Sequence, residues 1–199
     1  MTKLVLALMV AAGGLGAADI DRSLQLLREG KTAEAVSQAS ADVEAEPESA
    51  RAREVLGLAL LQQNKIDEAS TNIDKAAELD PESSSIRVAL ARVAIERKQW
   101  DIAWISLEKA GLLDSGNPQV KIYQGATQLA KKDYALAVKT LSAAVADSPD
   151  EPYARYYLGL AHYGLKRPDK TVEQFERFLA LAPGAPEAAR VSSLLRSIR

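Results

Sequence analysis

The chain has 199 residues and 47% of them are hydrophobic, which is enough for one domain or two small ones with a packed core. The formal net charge is only −2, from 25 Lys and Arg against 27 Asp and Glu, and this excludes a broadly basic protein that grips nucleic acid by its phosphates. The absence of cysteine and the single histidine exclude disulfide frameworks, thiol nucleophiles and zinc sites built from Cys and His. Abundant Ala and Leu, with only 5% aromatic residues, predict an all-α protein.

The N-terminal residues predict a signal peptide over 1–18. Lys3 gives a positive start, residues 4–12 are continuously apolar, and Gly16 and Ala18 are the small pair expected before a signal-peptidase cut. Cleavage after Ala18 would make this an exported protein, periplasmic or extracellular. The alternative is an uncleaved membrane anchor, although glycines interrupt the apolar run well short of the roughly 20 residues that span a bilayer.

The rest of the chain repeats with a period of 34 residues. Four sets of small, apolar or proline positions recur at that spacing: Gly57, Ala91, Gly125 and Gly159; Ala69, Ala103, Ala137 and Thr171; Ile73, Leu107, Leu141 and Phe175; Pro47, Pro81, Ser115, Pro149 and Pro183. A fixed period in this range indicates a stacked repeat array. The small residues would let two helices approach closely, and the proline would end one hairpin and start the next.

The order of a Leu-Gly pair, an Ala, a large apolar residue and a Pro resembles the tetratricopeptide repeat (TPR). The resemblance implies an all-α, right-handed superhelical solenoid of about five helix-turn-helix hairpins. It covers one TPR domain, 19–199, made of a degenerate unit 19–49, four full units 50–83, 84–117, 118–151 and 152–185, and a capping helix 186–199. Apolar residues at spacings of three and four in that last helix, from Ala188 to Ile198, predict a face that docks on the array.

The turns inside the hairpins depart from the family pattern. TPR units usually place Gly where the first helix ends, because that residue takes a left-handed backbone conformation. Gly30 and Asn64 suit this position, but Lys98, Lys132 and Lys166 occupy it in the later units. We expect these three turns to be strained or differently shaped.

No residue pattern predicts catalysis, a metal site or a cofactor. His162 stands where TPR units hold a packed residue, and no nucleophile or orienting partner accompanies it in the pattern. Acidic pairs such as Asp67 and Glu68 fall in the first turns of helices, where the helix dipole favours negative charge. Trp100 is predicted to pack in the core, whereas Trp104 could lie at the surface. The sequence therefore predicts a non-enzymatic protein.

The resemblance implies that a ligand binds in the concave groove, lined by the first helix of each unit. Five of the six tyrosines fall in the first helices of the last two full units, and Tyr offers a large, stiff contact surface. Some of these rings, Tyr157 above all, could instead pack between repeats. The predicted groove residues are Arg51, Leu58, Arg92, Ile122, Tyr123, Tyr153, Tyr156, Leu160 and Tyr163.

The chemistry of these positions favours an apolar or aromatic peptide or helix as the ligand. Chaperone-binding TPR proteins clamp a terminal carboxylate with Lys, Arg and Asn, and of the clamp positions here only Arg92 fits. The predicted function is a protein-protein interaction adaptor in the cell envelope, with a protein or peptide partner and no nucleic acid. The alternative is a self-assembling structural subunit of a secretion, pilus or polysaccharide machine. An enzyme or carbohydrate binder on the same scaffold is a third and weaker hypothesis.

Charge is uneven along the array. Residues 19–83 carry 15 acidic and 7 basic side chains, whereas 84–199 carry 17 basic and 12 acidic side chains. Such a dipole could steer a partner or promote head-to-tail assembly into a homo-oligomer, over the short range that salt screening allows.

Overall fold

The protein is described here by a computed structural model covering residues 18–198, and this part of the chain contains eleven α-helices and no strand. The predicted signal peptide lies outside the described residues, except for Ala18. The helices are α1 Ile20–Arg28, α2 Thr32–Ala45, α3 Ala50–Gln62, α4 Ile66–Leu79, α5 Ser84–Glu96, α6 Trp100–Leu113, α7 Pro118–Ala130, α8 Tyr134–Asp147, α9 Pro152–Gly164, α10 Pro168–Leu181 and α11 Ala188–Ile198. None of these helices is both long and apolar enough to cross a bilayer.

Consecutive helices pair into five hairpins, and the all-α solenoid that the sequence predicts is confirmed. The first helices α3, α5, α7 and α9 have 13 residues each, the second helices have 14, and α1 is shortened to 9. Ser, Asn or Glu caps α3, α5, α7 and α9 by accepting a backbone N–H in the first turn. Three residues join the helices of each hairpin.

The repeated glycines lie where the two helices of a hairpin touch. A Cβ atom built on Gly57, Gly125 or Gly159 would lie less than 3.0 Å from a side chain of the second helix. The side chains they face are Ile73, Leu141 and Phe175, all fully buried. The 34-residue spacing therefore encodes one contact, repeated from unit to unit.

The five hairpin turns share one shape, contrary to our expectation that the lysine turns could differ. The central residues Gly30, Asn64, Lys98, Lys132 and Lys166 have φ angles of 71°, 59°, 59°, 64° and 56°. In each turn the residue that follows donates its N–H to a carbonyl of the preceding helix, as from Gln99 to Ala94 at 2.8 Å. The expectation of strain holds, since a side chain with Cβ is disfavoured in this conformation.

The curvature of the array follows from which helices touch. Within residues 18–198, the first helices of neighbouring units contact one another, from α1 through α3, α5 and α7 to α9. The second helices α2, α4, α6, α8 and α10 make no such contacts with each other over the same range. The first helices are therefore on the inner side of the bend and line its concave face.

The C-terminal helix α11 covers the open face of the last hairpin, as its apolar spacing predicts. Val191 and Leu195 are buried in one cluster with Phe175 and Phe178 of α10. Arg196 on the opposite side of α11 is exposed. The helix begins at Ala188, so residues 186 and 187 of the predicted capping helix belong instead to the preceding loop.

Candidate functional site

The concave face encloses a cavity of about 600 Å³, which we call the large chamber. All five first helices contribute to its wall, together with the loop that precedes α11. Its main lining residues are Leu24, Leu27 and Arg28 of α1; Arg51, Glu54, Leu58 and Gln62 of α3; Ser85 and Arg92 of α5; Pro118 and Gln119 of α7; Pro152 and Tyr153 of α9; and Ala182, Ala185 and Pro186.

The loop 182–187, which we call the strap, crosses the concave face. It has six residues, whereas each of the four earlier loops between hairpins has four. A Cβ atom on Gly30, in the first hairpin turn, would lie less than 3.0 Å from the carbonyl oxygen of Gly184. The two ends of the superhelix therefore meet, and the strap closes the groove.

A second cavity of about 270 Å³, the tyrosine chamber, lies beside the large chamber. The two chambers share Gln62, Arg92, Tyr153 and Pro186, and Tyr123 and Tyr157 line the second one alone. Because Pro186 lines both, the strap borders the two cavities.

Polar contacts tie the walls of the large chamber together. The Arg51 guanidinium lies 2.7 Å from Oε2 of Glu54, whose side chain is almost completely buried. The Ser85 hydroxyl donates to the same oxygen at 3.2 Å and so links α3 to α5. Arg92 lies 5.3 Å from the centre of the Tyr123 ring, close enough for a cation–π interaction.

Tyr153 anchors the strap to α9. Its phenol donates to Oε2 of Glu187 at 3.1 Å. Burial, reinforced by the neighbouring Glu187 carboxylate, raises the pKa of Tyr153 well above its ordinary value, so the phenol stays a donor throughout the physiological range. Burial also raises the pKa of the nearby Glu151 carboxyl.

The structure brings together five of the nine predicted groove residues. Arg51, Leu58, Arg92 and Tyr153 line the large chamber, and Tyr123 lines the tyrosine chamber.

The other four predicted residues line neither chamber. Ile122 and Tyr156 are core side chains, 1% and 6% exposed, and the Tyr156 ring packs 5.2 Å from that of Phe178. Leu160 is half-buried in the same cluster. Tyr163 is 48% exposed on a separate cavity beside Tyr134. A role for Tyr156 as a surface anchor does not fit this geometry, since exposing its ring would open the packing of α9 on α10.

The predicted groove residues leave out two parts of the site. The apolar wall from Leu24 and Leu27 belongs to the degenerate first unit, where the repeat pattern is weakest. The strap was missed because residues from 186 onward were assigned to the capping helix. A second proline, Pro186, three residues after the repeat proline Pro183, was the available signal for a longer loop.

His162 contributes nothing to the chambers. It is 5% exposed in α9, and its Nδ1 has no hydrogen-bond partner. Burial, and then the positive charges of Lys170 and Arg167, lower its pKa. Among residues 18–198 no group of three or more His, Asp and Glu side chains is arranged to hold a metal ion.

The repeated hairpins and their spacing agree with a comparison against known families. A tetratricopeptide repeat model matches residues 20–84, 56–110 and 124–186. The chain belongs to the tetratricopeptide repeat family. No curated protein matches the sequence.

Several solved TPR structures resemble this one. The thermophilic TPR protein TTC0263 of Thermus thermophilus has a TM-score of 0.76 and 16% identity, over 90% of this chain and 96% of that one. PilF of Pseudomonas aeruginosa has a TM-score of 0.61 and 19% identity, over 90% and 84% of the two chains. YrrB, described as a TPR protein with an unusual peptide-binding site, has a TM-score of 0.51 and 17% identity, over 87% and 90%. At these identities the likeness establishes the fold alone.

Proposed function

We propose that this TPR protein is a non-enzymatic adaptor that binds an apolar or aromatic segment of a partner protein in the large chamber. The observation that carries the proposal is the chamber itself, a cavity of about 600 Å³ walled by all five first helices. Its volume is in the range of ligand-binding pockets. The strap supports the proposal further, because it shows that the concave face can hold a polypeptide segment, here a turn-rich loop of the protein's own chain.

The walls define the chemistry of the ligand. Leu24, Leu27 and Leu58 supply apolar surface, and burial of apolar side chains would provide most of the affinity. Arg28 and Arg92 add cationic groups that can donate to backbone carbonyls or an acidic side chain of the peptide. YrrB, with its unusual peptide-binding site, is a precedent in the same family for a peptide ligand.

A peptide-library selection against the full chain tests this proposal. Peptides that bind should be enriched in apolar or aromatic residues. Their affinity should fall roughly tenfold or more in Leu58→Ser and in Arg92→Gln, because truncating a buried anchor commonly costs over 1 kcal/mol. Lys139→Ala, on the exposed side of α8, is the matched control and should bind as well as the unmodified protein.

Equal binding of the selected peptides by both groove variants and the control would reject the chamber as the site. Circular dichroism of each variant should remain that of the parent, which separates loss of binding from loss of folding.

We propose further that the adaptor is exported and works in the cell envelope after cleavage between Ala18 and Asp19. Support comes from the charged, apolar and small-residue sections of 1–18. The intact mass of protein purified from its native host should equal that of residues 19–199. A mass that retains Met1 would contradict cleavage and favour the membrane anchor.

A self-assembling role is the second candidate, and a separate observation favours it. The second helices α6 and α8 expose large apolar side chains: Ile102 is 54%, Ile105 64%, Leu112 88% and Leu136 48% exposed. Exposed apolar surface of this kind is common at contacts between proteins. Sedimentation of the unmodified protein should then show an oligomer that Ile105→Glu dissociates, and a monomer at all concentrations would remove this candidate.

A further inference from the structure

Asp42 of α2 is a buried carboxylate that holds the first helix in place. It is 1% exposed and accepts three hydrogen bonds. The backbone N–H of Asp19 and the amide of Gln38 donate to Oδ1 at 2.8 and 3.0 Å, and the Ser23 hydroxyl donates to Oδ2 at 2.6 Å. Asp19 caps α1 and Ser23 lies within it, so the Asp42 side chain ties α1 to α2.

The carboxylate lacks a counter-charge. No Lys or Arg side chain in the described range 18–198 forms an ion pair with Asp42. Burying an ionised carboxylate is costly unless a positive group accompanies it, and neutral donors offset only part of that cost.

The donor at Asp19 is one that proteolysis would convert into a cation. Hydrolysis of the Ala18–Asp19 peptide bond adds water across it. Ala18 then ends in a carboxylate, and the nitrogen of Asp19 becomes an amine that takes up a proton. An ammonium nitrogen 2.8 Å from Oδ1 of Asp42 would make a charge-assisted hydrogen bond.

We propose that Asp42 is the receptor for the α-ammonium group that an export endopeptidase creates at Asp19. The inference rests on the proposed cleavage after Ala18. Processing then does more than remove the leader, because it completes an ion pair that fixes α1. Since Leu24 and Leu27 of α1 form one wall of the large chamber, the same ion pair stabilises the candidate binding site.

Charged groups elsewhere on the packed helices must be controlled for. Asp21 and Arg22 on α1, Glu44 and Glu46 at the end of α2, and Arg51 and Arg53 on α3 belong to the three helices that pack here. The Asp19 carboxylate itself accepts the N–H of Arg22 at 3.0 Å and caps α1. A substitution confined to Asp42 leaves all of these unchanged.

The test compares the stability of chains that differ only at the N-terminus. Residues 19–199 released from a cleavable fusion carry a free amine. Acetylating that amine keeps an N–H donor but removes the charge, and an 18–199 chain moves the charge by one residue. The full chain 1–199 is measured alongside. At pH 6 we expect the unfolding equilibrium constant of the acetylated chain to be roughly tenfold larger than that of the free amine, and the 18–199 chain to resemble the acetylated one.

The stabilisation by the Asp19 ammonium should depend on pH in one direction. An ammonium that gains a carboxylate partner on folding has a raised pKa, so its stabilisation is complete below the unfolded value of about 8 and is lost as pH rises through the folded value. The difference between free and acetylated chains should therefore vanish at high pH. In Asp42→Asn the free amine should give no advantage over the acetylated one at any pH, because its charge then meets only the positive end of the α1 dipole.

Equal stability of the free and acetylated chains at pH 6 would overturn the inference, as would an undiminished advantage of the free amine in Asp42→Asn. The intact mass of the native protein separates this outcome from failure of the processing proposal. A native chain that begins at Asp19 but shows no coupling to Asp42 removes only the receptor role. A native chain that begins elsewhere removes both.

Discussion

At the scale of single residues, two kinds of position constrain the repeat. At one kind any side chain would be too large for the space, and at the other a side chain with Cβ is held in an unfavourable backbone conformation. The left-handed turn residues are one group, and the glycines at the helix-helix contact are the other. For each kind, a substitution at the position and a matched control substitution should change the free energy of unfolding in opposite directions.

Replacing Lys132 by glycine should stabilise the protein. Its φ of 64° costs a residue with a Cβ atom about 1 kcal/mol, and Lys132→Gly should raise the free energy of unfolding by roughly that amount. Lys139 is also exposed but lies inside α8, where Lys139→Gly should lower stability by about 1 kcal/mol. Urea unfolding measures both, and a loss of stability in Lys132→Gly would contradict the strained turn.

Gly125 should not tolerate alanine. The new Cβ would overlap the Leu141 side chain, and such overpacking costs about 1 to 3 kcal/mol. Gly111 in α6 is the control, because its added Cβ would meet only Val120, at an ordinary contact distance of 3.5 Å. Gly111→Ala should raise stability by up to about 1 kcal/mol. If both substitutions shifted the urea midpoint equally, the hairpin contact would not be as the structure has it.

His162 should make the protein sensitive to mild acid. Because burial lowers its pKa in the folded state, its contribution to stability is present above the unfolded pKa of about 6.5 and is lost as pH falls through the folded value. His162→Gln should remove this part of the pH dependence. Melting temperatures between pH 7.5 and 5.5 should thus fall more steeply for the unmodified protein, and parallel curves would exclude a buried neutral His162.

At the scale of elements, a hairpin in the array is covered on both faces by its neighbours, and the last hairpin depends on α11. Leu195→Ala should lower the free energy of unfolding by about 2 to 5 kcal/mol, because Leu195 is buried against α10. Arg196→Ala, one residue later on the exposed side, should change it by less than about 0.5 kcal/mol. Equal effects of the two in thermal unfolding would mean that α11 does not dock on α10.

At the scale of the whole molecule, the closed groove depends on the contact between the first hairpin turn and the strap. Gly30→Asn suits the turn, since Asn64 holds the same conformation in the next unit, but its Cβ would overlap the Gly184 carbonyl. The strap should therefore move away. Lys98→Asn is the control, at the same turn position in the third unit.

The absence of native cysteine allows this movement to be measured directly. Spin labels attached through Glu34→Cys and Ser193→Cys report the separation of the two ends of the array. Gly30→Asn should lengthen or broaden the distance distribution, and Lys98→Asn should leave it unchanged. Identical distributions in all three proteins would show that the ends do not meet at Gly30.

The helices, the hairpins and the contacts inside each hairpin can be predicted from the sequence alone. Each of these features is local. Gly57 and Ile73 are 16 residues apart, within one unit, and the 34-residue period places the equivalent contact at Gly125 and Gly159. The shape of the lysine turns does not follow from residue preference, because the hydrogen bonds that end each helix impose one turn shape even on a residue that disfavours it.

The contents of the groove depend on contacts between distant parts of the chain. The burial of Tyr156 depends on α10 and α11 together, and the meeting of Gly30 with Gly184 joins residues 154 positions apart. Superhelical closure is the sum of small rotations between successive units. No single unit encodes that sum, which is why the family resemblance implied a concave face but not the strap that crosses it.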